Sequence, residues 1–309
     1  MNKVLAIVGP TAVGKTQLSI EIAKRFNAEI ISGDSMQVYR GLDIGTAKIM
    51  PEEMDGVRHH LIDIRNVQDS FTVQDFKSSA EKLIIEITNR NKVPLIVGGT
   101  GFYLQALLED LELGGNTENR EQVLAIRKTL DEKTDEELFQ MLRKVDQKSA
   151  NRIDQHNRRR MIRAIEVYEL NGIKFSEQNS RKPPYDSLII GLNTNRLNLY
   201  ARINQRVDLM LQNGLLREAQ WLFDQDEVPQ ATKGIGYREW ESYFKGERSL
   251  EQVVELIKKD SRHYAKRQLT WFRNKMDVQW FDILQNESDQ LKINQKIESW
   301  LNQKNELER

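Results

Sequence analysis

A glycine-rich stretch near the start of the chain has the residue types and spacing that hold phosphate groups. The pattern G-x-x-x-x-G-K-[ST] is matched in full by the phosphate loop, Gly9-Pro10-Thr11-Ala12-Val13-Gly14-Lys15-Thr16. Its glycines let successive backbone N–H groups point at phosphate oxygens, and the start of a following helix adds partial positive charge. The Lys15 ammonium can bind the distal phosphate, and the Thr16 hydroxyl is placed to bind Mg²⁺. The loop predicts a diphosphate or triphosphate ligand and leaves the reaction undecided.

The segments around this loop predict the sheet that positions it. Apolar runs at 4–8, 29–31 and 94–97 alternate with helical patterns, which is typical of parallel strands joined by crossover helices. A further run at 187–192 is predicted to return to the same sheet. The predicted fold class is therefore α/β, with a parallel sheet as its core.

Between the two halves of this core the pattern becomes helical. Apolar residues recur at helical spacing over 116–180, and the turn-rich residues 180–184 close the segment. We predict a core made of 1–115 and 185–309 and a helical insertion domain at 116–184. Late in the core, Ser249 and Gln252 fit a capping box for a long helix running toward Trp271.

Two polar residues follow the predicted strands at the edge where a ligand is expected. Asp34 comes after the second strand, and Thr100 comes after the third, within Gly98-Gly99-Thr100-Gly101. Ligands of open parallel sheets bind outside the carboxyl ends of the strands, so both should approach Lys15. Asp34 could act as a general base, a sensor of a substrate hydroxyl, a group that supports a metal, or a simple turn cap. Thr100 could instead belong to a tight turn only.

Two further groups have both a chemical and a structural interpretation. Arg206 shares a helix face with Arg202, where it could neutralise charge on a departing phosphate or form an ordinary surface pair. His59, His60 and Asp63 superficially resemble a metal cluster. Adjacent histidines point in different directions, so a structural or hydrogen-bonding role is favoured.

The charge balance is neutral overall but uneven along the chain. The 46 Lys and Arg residues equal the 46 Asp and Glu residues, whereas residues 151–275 contain 23 basic and 16 acidic side chains. This excess lies in three places: 157–163, the loop 233–238, and a helical stripe of Lys259, Arg262, Lys266 and Arg273 interleaved with His263, Tyr264, Trp271 and Phe272. Such segments favour phosphodiester contacts and base stacking with single-stranded loop RNA, although a solvated surface also explains them.

The composition excludes several classes of chemistry. The chain has no cysteine, so disulfides, zinc–thiolate sites, iron–sulfur clusters and thiol catalysis are ruled out. No apolar run approaches the ~20 residues of a membrane span, and the apolar start is too short for a signal peptide. We expect a soluble, cytoplasmic protein without a membrane partner.

Taken in order, these motifs resemble one family, the tRNA dimethylallyltransferases, also called tRNA isopentenyltransferases. The resemblance covers nearly the whole chain. It is carried by GPTAVGKT at 9–16, DSMQVYRGLDIGTAK at 34–48, HHLID at 59–63, GGTGFY at 98–103, RRRMIRAIEVYE at 158–169, RINQRVDLML at 202–211, KGIGYRE at 233–239 and YAKRQLTWFR at 264–273.

The resemblance implies a P-loop NTPase-like core, a helical insertion and transfer of a dimethylallyl group from its diphosphate to N6 of the adenosine on the 3′ side of the anticodon. By similarity, Asp34 receives the amine, Thr100 orients the reacting groups, and Arg206 and Mg²⁺ stabilise the diphosphate. The expected partners are dimethylallyl diphosphate and the tRNA anticodon stem-loop, and a monomer is expected. The residues expected to contact tRNA are Asp34, Ser35, Met36, Gln37, Arg159, Arg160, Met161, Ile162, Arg163, Lys233, Gly234, Ile235, Gly236, Tyr237, Arg238, Arg262 and Lys266.

Two other functions compete with this one. A small-molecule or nucleoside kinase would place ATP in the phosphate loop and use Asp34 as the base for a hydroxyl. A non-catalytic RNA-binding NTPase switch would bind or hydrolyse a nucleotide and leave the RNA unchanged. A kinase would need neither the basic C-terminal segments nor an effect of RNA on turnover.

Overall fold

The computed structural model describes residues 1–113, 120–177, 183–226 and 230–303. The chain folds as two compact units: Met1–Leu108 with Pro184–Arg309, and Glu109–Pro183. The first unit contains the sheet and the second is built of helices. The second unit thus begins before the predicted residue 116. Of the turn predicted at 180–184, residues 180–182 lie outside the described part.

Six parallel strands form the sheet of the first unit, in the order β3-β2-β4-β1-β5-β6. They are β1 Asn2–Val8, β2 Ala28–Ser32, β3 His59–His60, β4 Val93–Gly98, β5 Tyr185–Leu192 and β6 Gln279–Phe281. The four strands predicted from apolar runs are confirmed. The edge strands β3 and β6 escaped prediction, because two or three residues are too few to show a period.

Twelve α-helices occur among the described residues. They are α1 Lys15–Arg25, α2 Val73–Asn89, α3 Gly101–Leu108, α4 Arg120–Asp131, α5 Asp135–Val145, α6 Gln147–Ala150, α7 Arg158–Asn171, α8 Arg196–Gln212, α9 Leu215–Phe223, α10 Glu241–Phe244, α11 Leu250–Lys275 and α12 Glu287–Asn302.

Helices cover both faces of the sheet, because successive side chains of a strand point to opposite sides. On β1, Val4 and Ala6 face one core with Phe76 of α2, while Leu5 and Ile7 face a second core with α1 and α12. The central strands are therefore apolar throughout, as is typical of a sheet buried on two sides. The paired strands end level: Val8 of β1 lies beside the last residue of β4. The loops that follow β1 and β4 consequently start side by side.

The long helix α11 begins at the predicted cap. The Ser249 hydroxyl accepts from the backbone N–H of Gln252, and the Gln252 side chain accepts from the Ser249 N–H. These reciprocal bonds satisfy two N–H groups that the first turn leaves without helical partners. The helix continues to Lys275, so Trp271 lies within its last turns.

The helical unit has a core of its own. Leu138 and Leu142 of α5 pack with Met161 and Ile165 of α7. Glu166 of α7 is also buried, and charged hydrogen bonds from Arg127 and Arg163 compensate for its burial.

Within the residues that the structure describes, no helix combines the length and the apolar character that crossing a membrane would require.

Candidate active site

The phosphate loop joins the end of β1 to the start of α1. Gly9 adopts φ 145° and Gly14 adopts φ 96°, values that favour glycine. A Cβ on Gly9 would lie 2.4 Å from the carbonyl oxygen of Leu192, so the loop also needs glycine for its close approach to the end of β5. Ala12 has φ 63°, which costs a non-glycine residue free energy and is typical of functional loops.

The Lys15 ammonium is enclosed by its own loop. It donates to the carbonyl oxygens of Gly9 at 3.0 Å and Pro10 at 2.6 Å. Burial and, to a smaller extent, the charge of Arg206 lower the pKa of Lys15 from 10.5 to about 7, although the charge of Asp34 partly opposes both. An anion bound here would restore the charged form.

Asp34 is oriented by the turn that it starts. Its Oδ1 accepts from the backbone N–H groups of Met36 at 2.8 Å and Gln37 at 3.3 Å, so the turn-cap interpretation is correct for this oxygen. Its Oδ2 accepts no hydrogen bond from any described residue. A carboxylate fixed by one oxygen presents the other to a donor, and Asp34 acts electrostatically on both Lys15 and Arg206. Lys15, Asp34 and Arg206 therefore interact electrostatically at this edge of the sheet.

Thr100 lies directly against the Asp34 turn. Its Oγ1 accepts from the backbone N–H of Ser35 at 3.2 Å. The two turns touch so closely that a Cβ on Gly98 would lie 2.4 Å from the carbonyl oxygen of Gly33. Thr100 therefore does more than close a tight turn, because its side chain links that turn to the residue after Asp34.

Helix α8 supplies the arginines at this edge. Arg202 Nε donates to the carbonyl oxygen of Ala12 at 2.8 Å, and Arg206 Nη2 donates to that of Thr46 at 3.5 Å. Arg206 Nε is buried without a hydrogen-bond partner in the described structure. Burial lowers the pKa of Arg206, and the negative charge of Asp34 opposes this shift. A buried guanidinium with an unused donor is suited to binding an anion.

Sequence reasoning missed two polar side chains that hold this site together. Gln268 of α11 is buried and bonds to both the phosphate loop and the Thr100 turn. Glu218 of α9 accepts from the backbone N–H groups of Asp43, Ile44 and Gly45. The sequence pattern that could have revealed Gln268 is a polar residue on the apolar face of a helix, because Gln268 lies between the buried residues Ala265 and Phe272 of α11.

Comparisons with known proteins agree over nearly the whole chain. The family model described as "IPP transferase" matches residues 37–275. The tRNA dimethylallyltransferase of Pediococcus pentosaceus is 64% identical to this chain, and the match covers all of both proteins. That of Limosilactobacillus reuteri is 56% identical, and the match covers 97% of this chain and 99% of the relative. The chain belongs to the tRNA dimethylallyltransferase family.

Solved structures of the family extend this agreement to the fold. The full-length tRNA isopentenylpyrophosphate transferase of Bacillus halodurans is 45% identical, with 97% of each chain covered and a TM-score of 0.74. A eukaryotic dimethylallyltransferase described as acting on tRNA is 29% identical and has a TM-score of 0.81, with 96% of this chain and 78% of that chain covered. The P-loop-like core predicted for this family member is confirmed, and its helices lie on a six-stranded parallel sheet.

In this family member the loop 233–238 is partly buried. Tyr237 has 0% of its surface exposed, and its hydroxyl donates to Glu218 at 2.7 Å. The expectation that this ring touches tRNA is therefore wrong for its side chain. Gly236 is buried as well, so the expected tRNA contact also fails there, whereas Gly234 is half-buried and a Cβ on it would lie 2.6 Å from Met36. Arg238 and Lys233 are both exposed, and Arg238 pairs with Asp260.

The other basic segments also divide into core and surface. Met161 and Ile162 are buried in the core of the helical unit, so their side chains cannot provide the expected tRNA contacts. Arg159 and Arg160 are exposed on the same helix. The predicted stripe on α11 is helical, but Phe272 has 0% of its surface exposed and packs in the core instead of lying among the exposed cations.

The histidine pair has the predicted structural role. His60 Nε2 lies 2.8 Å from Glu29 Oε2, and His59 Nδ1 lies 2.9 Å from the carbonyl oxygen of Val57. Throughout the described ranges, no group of three or more His, Cys, Asp or Glu residues could hold a metal ion.

Proposed function

We propose that this chain transfers a dimethylallyl group from dimethylallyl diphosphate to N6 of the adenosine on the 3′ side of the tRNA anticodon. The observation that carries the proposal is the mutual electrostatic interaction of Lys15, Arg206 and Asp34 beside the phosphate loop of a family member. Two cations and several backbone N–H groups suit a diphosphate, and one carboxylate suits an amine. Kinases share the loop, but the relatives that match the entire chain are tRNA dimethylallyltransferases.

The reaction exchanges one bond for another at the allylic carbon. The bond between that carbon and the diphosphate oxygen breaks, the bond to N6 forms, and one N6 proton is released. Negative charge grows on the diphosphate as it leaves. Charge-assisted donors placed before the reaction stabilise such a transition state. In this proposal, Lys15, the Arg206 guanidinium and the N–H groups of the phosphate loop provide that stabilisation.

Asp34 faces the other reactant. Its Oδ2 accepts the N–H of the incoming amine and is the acceptor for the proton that N6 loses. The Thr100 contact with Ser35 holds the Asp34 turn in place. An adenine stacked inside an anticodon loop cannot reach this edge, so the base must be flipped out of the stack.

Mg²⁺ is a proposed cofactor, and the residues present fit it. Thr16 is exposed at the start of α1, and its hydroxyl bonds to no described residue. Mg²⁺ is commonly held by one or two protein oxygens together with substrate phosphates and water. Thr16 would therefore hold the ion jointly with the diphosphate, and the bound ion would supply positive charge for the leaving group.

The exposed cations provide the proposed contacts with the tRNA anticodon stem-loop. Arg159 and Arg160 are in the helical unit, and Lys233 and Lys266 are in the sheet-containing unit. Arg262, which donates to Asn204 at 2.6 Å, is a further candidate beside Lys266. Such contacts with phosphates give affinity without reading sequence. A monomeric, cytoplasmic enzyme whose helical insertion contacts tRNA remains part of this proposal.

One incubation separates the proposal from its alternatives. The protein is mixed with unmodified tRNA, Mg²⁺ and labelled dimethylallyl diphosphate, and in parallel with labelled ATP. The proposal predicts that label enters tRNA only from the former. Incorporation from ATP would support a kinase. Nucleotide hydrolysis without any change to the RNA would support a switch, and the absence of prenyl incorporation by folded protein would refute the proposal.

A further inference from the structure

One face of α11 lies against the turn that carries Thr100. Tyr264, Gln268 and Trp271 are spaced four and three residues apart, so they share this face. A Cβ on Gly101 would lie 2.4 Å from Trp271, and a Cβ on Gly99 would lie 2.1 Å from Gln268 Nε2. The helix therefore approaches this turn so closely that a side chain at either glycine would clash.

Gln268 uses both ends of its amide. Its Nε2 donates to the carbonyl oxygen of Gly99 at 2.9 Å, and its Oε1 accepts from the backbone N–H of Thr11 at 3.2 Å. Gly99 directly precedes Thr100, and Thr11 lies inside the phosphate loop. The side chain is only 6% exposed, so water does not readily replace these bonds. One buried amide thus bridges two separate loops.

Tyr264 continues the contact on the side of Thr100. Its hydroxyl lies near the side chains of Thr100 and Gln268, both of which act to lower its pKa. Burial, followed by the negative charge of Asp34, raises the pKa of Tyr264 to about 12, so its hydroxyl remains protonated. Because Thr100 also accepts from Ser35, the contacts run from α11 to the residue after Asp34.

We propose that Gln268 is a positioning residue: its amide ties the phosphate loop to the Thr100 turn and so fixes Thr100 and Asp34 relative to the bound diphosphate. This role rests on the transfer reaction proposed above. Transfer requires the amine and the allylic carbon to meet at a defined distance, and small displacements of positioning groups lower the rate strongly. Gln268 touches neither reactant and acts through the two loops.

Replacing Gln268 with Glu tests the donating end of the amide by itself. The carboxylate still accepts from the Thr11 N–H, but it cannot donate to Gly99 and instead repels that carbonyl oxygen. We expect kcat to fall by about 10- to 100-fold, as for other groups that orient catalytic residues. The KM for dimethylallyl diphosphate should stay within about threefold, because the phosphate loop keeps its bond. Gln268→Met removes both bonds at similar volume, so kcat should fall and this KM should rise.

Controls separate positioning from loss of folded protein. Single-turnover amplitudes give the concentration of active sites, and circular dichroism follows thermal unfolding. Gln295→Glu makes the same charge change at an exposed position of α12 and should leave kcat within about twofold. Gln268→Asn keeps a neutral amide but is one methylene shorter and cannot reach both loops, so it tests the same two bonds should both other Gln268 variants fail to fold, and its kcat should fall by at least about fivefold.

The outcomes distinguish this inference from the proposed function. No transfer by the wild-type protein refutes the function. If the wild type is active, a kcat within about threefold of wild type per active site in a folded Gln268 variant overturns the positioning role. If neither the Glu nor the Met variant folds, a kcat near wild type in Gln268→Asn overturns it. The role is supported when kcat falls per active site while KM follows the pattern expected for each variant.

Discussion

Diphosphate binding should be coupled to protonation of Lys15. In the free protein, burial, then the charge of Arg206, hold the pKa of Lys15 at about 7, with Asp34 partly opposing them. A bound diphosphate raises this pKa toward its ordinary value, since the opposite charge favours the ammonium. Affinity is therefore greatest below pH 7 and falls as pH rises through 7 toward the pKa of the bound state.

The size of the effect follows from this pKa. At pH 8, about one tenth of the free protein carries a proton on Lys15, so binding takes up about 0.9 proton. The cost at that pH is about tenfold in affinity, or about 1.4 kcal/mol, relative to the fully protonated protein.

Calorimetry measures this uptake directly. A nonreactive analogue of dimethylallyl diphosphate is titrated at pH 8 in buffers of different ionisation enthalpy, and the slope gives the protons taken up. Lys15→Arg keeps a positive charge that does not titrate, so its slope reports the ligand's own protonation. The difference between the two slopes belongs to Lys15. Equal slopes in wild type and Lys15→Arg would refute the reasoning.

Four further predictions follow from the same structure. Asp34→Ala should lower kcat by about 10²- to 10⁴-fold in transfer assays, while tRNA affinity in filter binding largely survives, because the acceptor for the amine is lost. Glu218→Gln should lower the free energy of unfolding in urea by about 3 kcal/mol, since the amide cannot accept all the bonds that the carboxylate accepts. Asp146 has its pKa lowered to about 2, because hydrogen bonds outweigh its burial. The carboxylate therefore stabilises the helical unit fully above about pH 4, and this stabilisation is lost as pH falls toward 2. Hydrogen exchange of the helical unit should show this loss in the wild type and should not show it in Asp146→Asn. Changing Arg159 and Arg160 together to Ala should weaken tRNA binding and reduce its salt slope by about 0.7 to 0.9 for each lost phosphate contact.

Each of these has a contradicting outcome or a matched control. Near-normal turnover in Asp34→Ala would remove its assignment as acceptor. Glu241→Gln breaks only an exposed ion pair with Lys245 and should change stability by less than about 1 kcal/mol. Wild-type pH dependence in Asp146→Asn would contradict the third prediction. Lys296→Ala removes an exposed charge on α12, and a salt slope changed equally there would show a general charge effect.

Predictions based on short stretches of chain agree with the structure. The phosphate loop, the cap of α11 at Ser249 and the strand preceding Asp34 each depend on residues close in sequence. Backbone conformation and capping are local, so residue types at fixed spacing determine them. The parallel sheet could also be inferred, since alternating strands and helices leave few arrangements.

Burial of individual side chains could not be inferred in this way. Tyr237, Phe272 and Met161 are aromatic or apolar residues beside cations, a pattern that also fits an RNA-binding surface, yet all three are buried. Whether such a side chain meets solvent depends on elements distant in sequence. For Tyr237 the deciding partner is Glu218, on a separate helix.

The sequence by itself determined which groups can act: a phosphate loop, a carboxylate after the second strand, a threonine after the third and an arginine pair on a helix. Only the tertiary structure decided how they are held. Gln268 joins Thr11 to Gly99, although these residues are 257 and 169 positions from it in the chain. A hydrogen bond needs two groups at about 3 Å with suitable angles, and across such separations only packing of the entire unit brings them together.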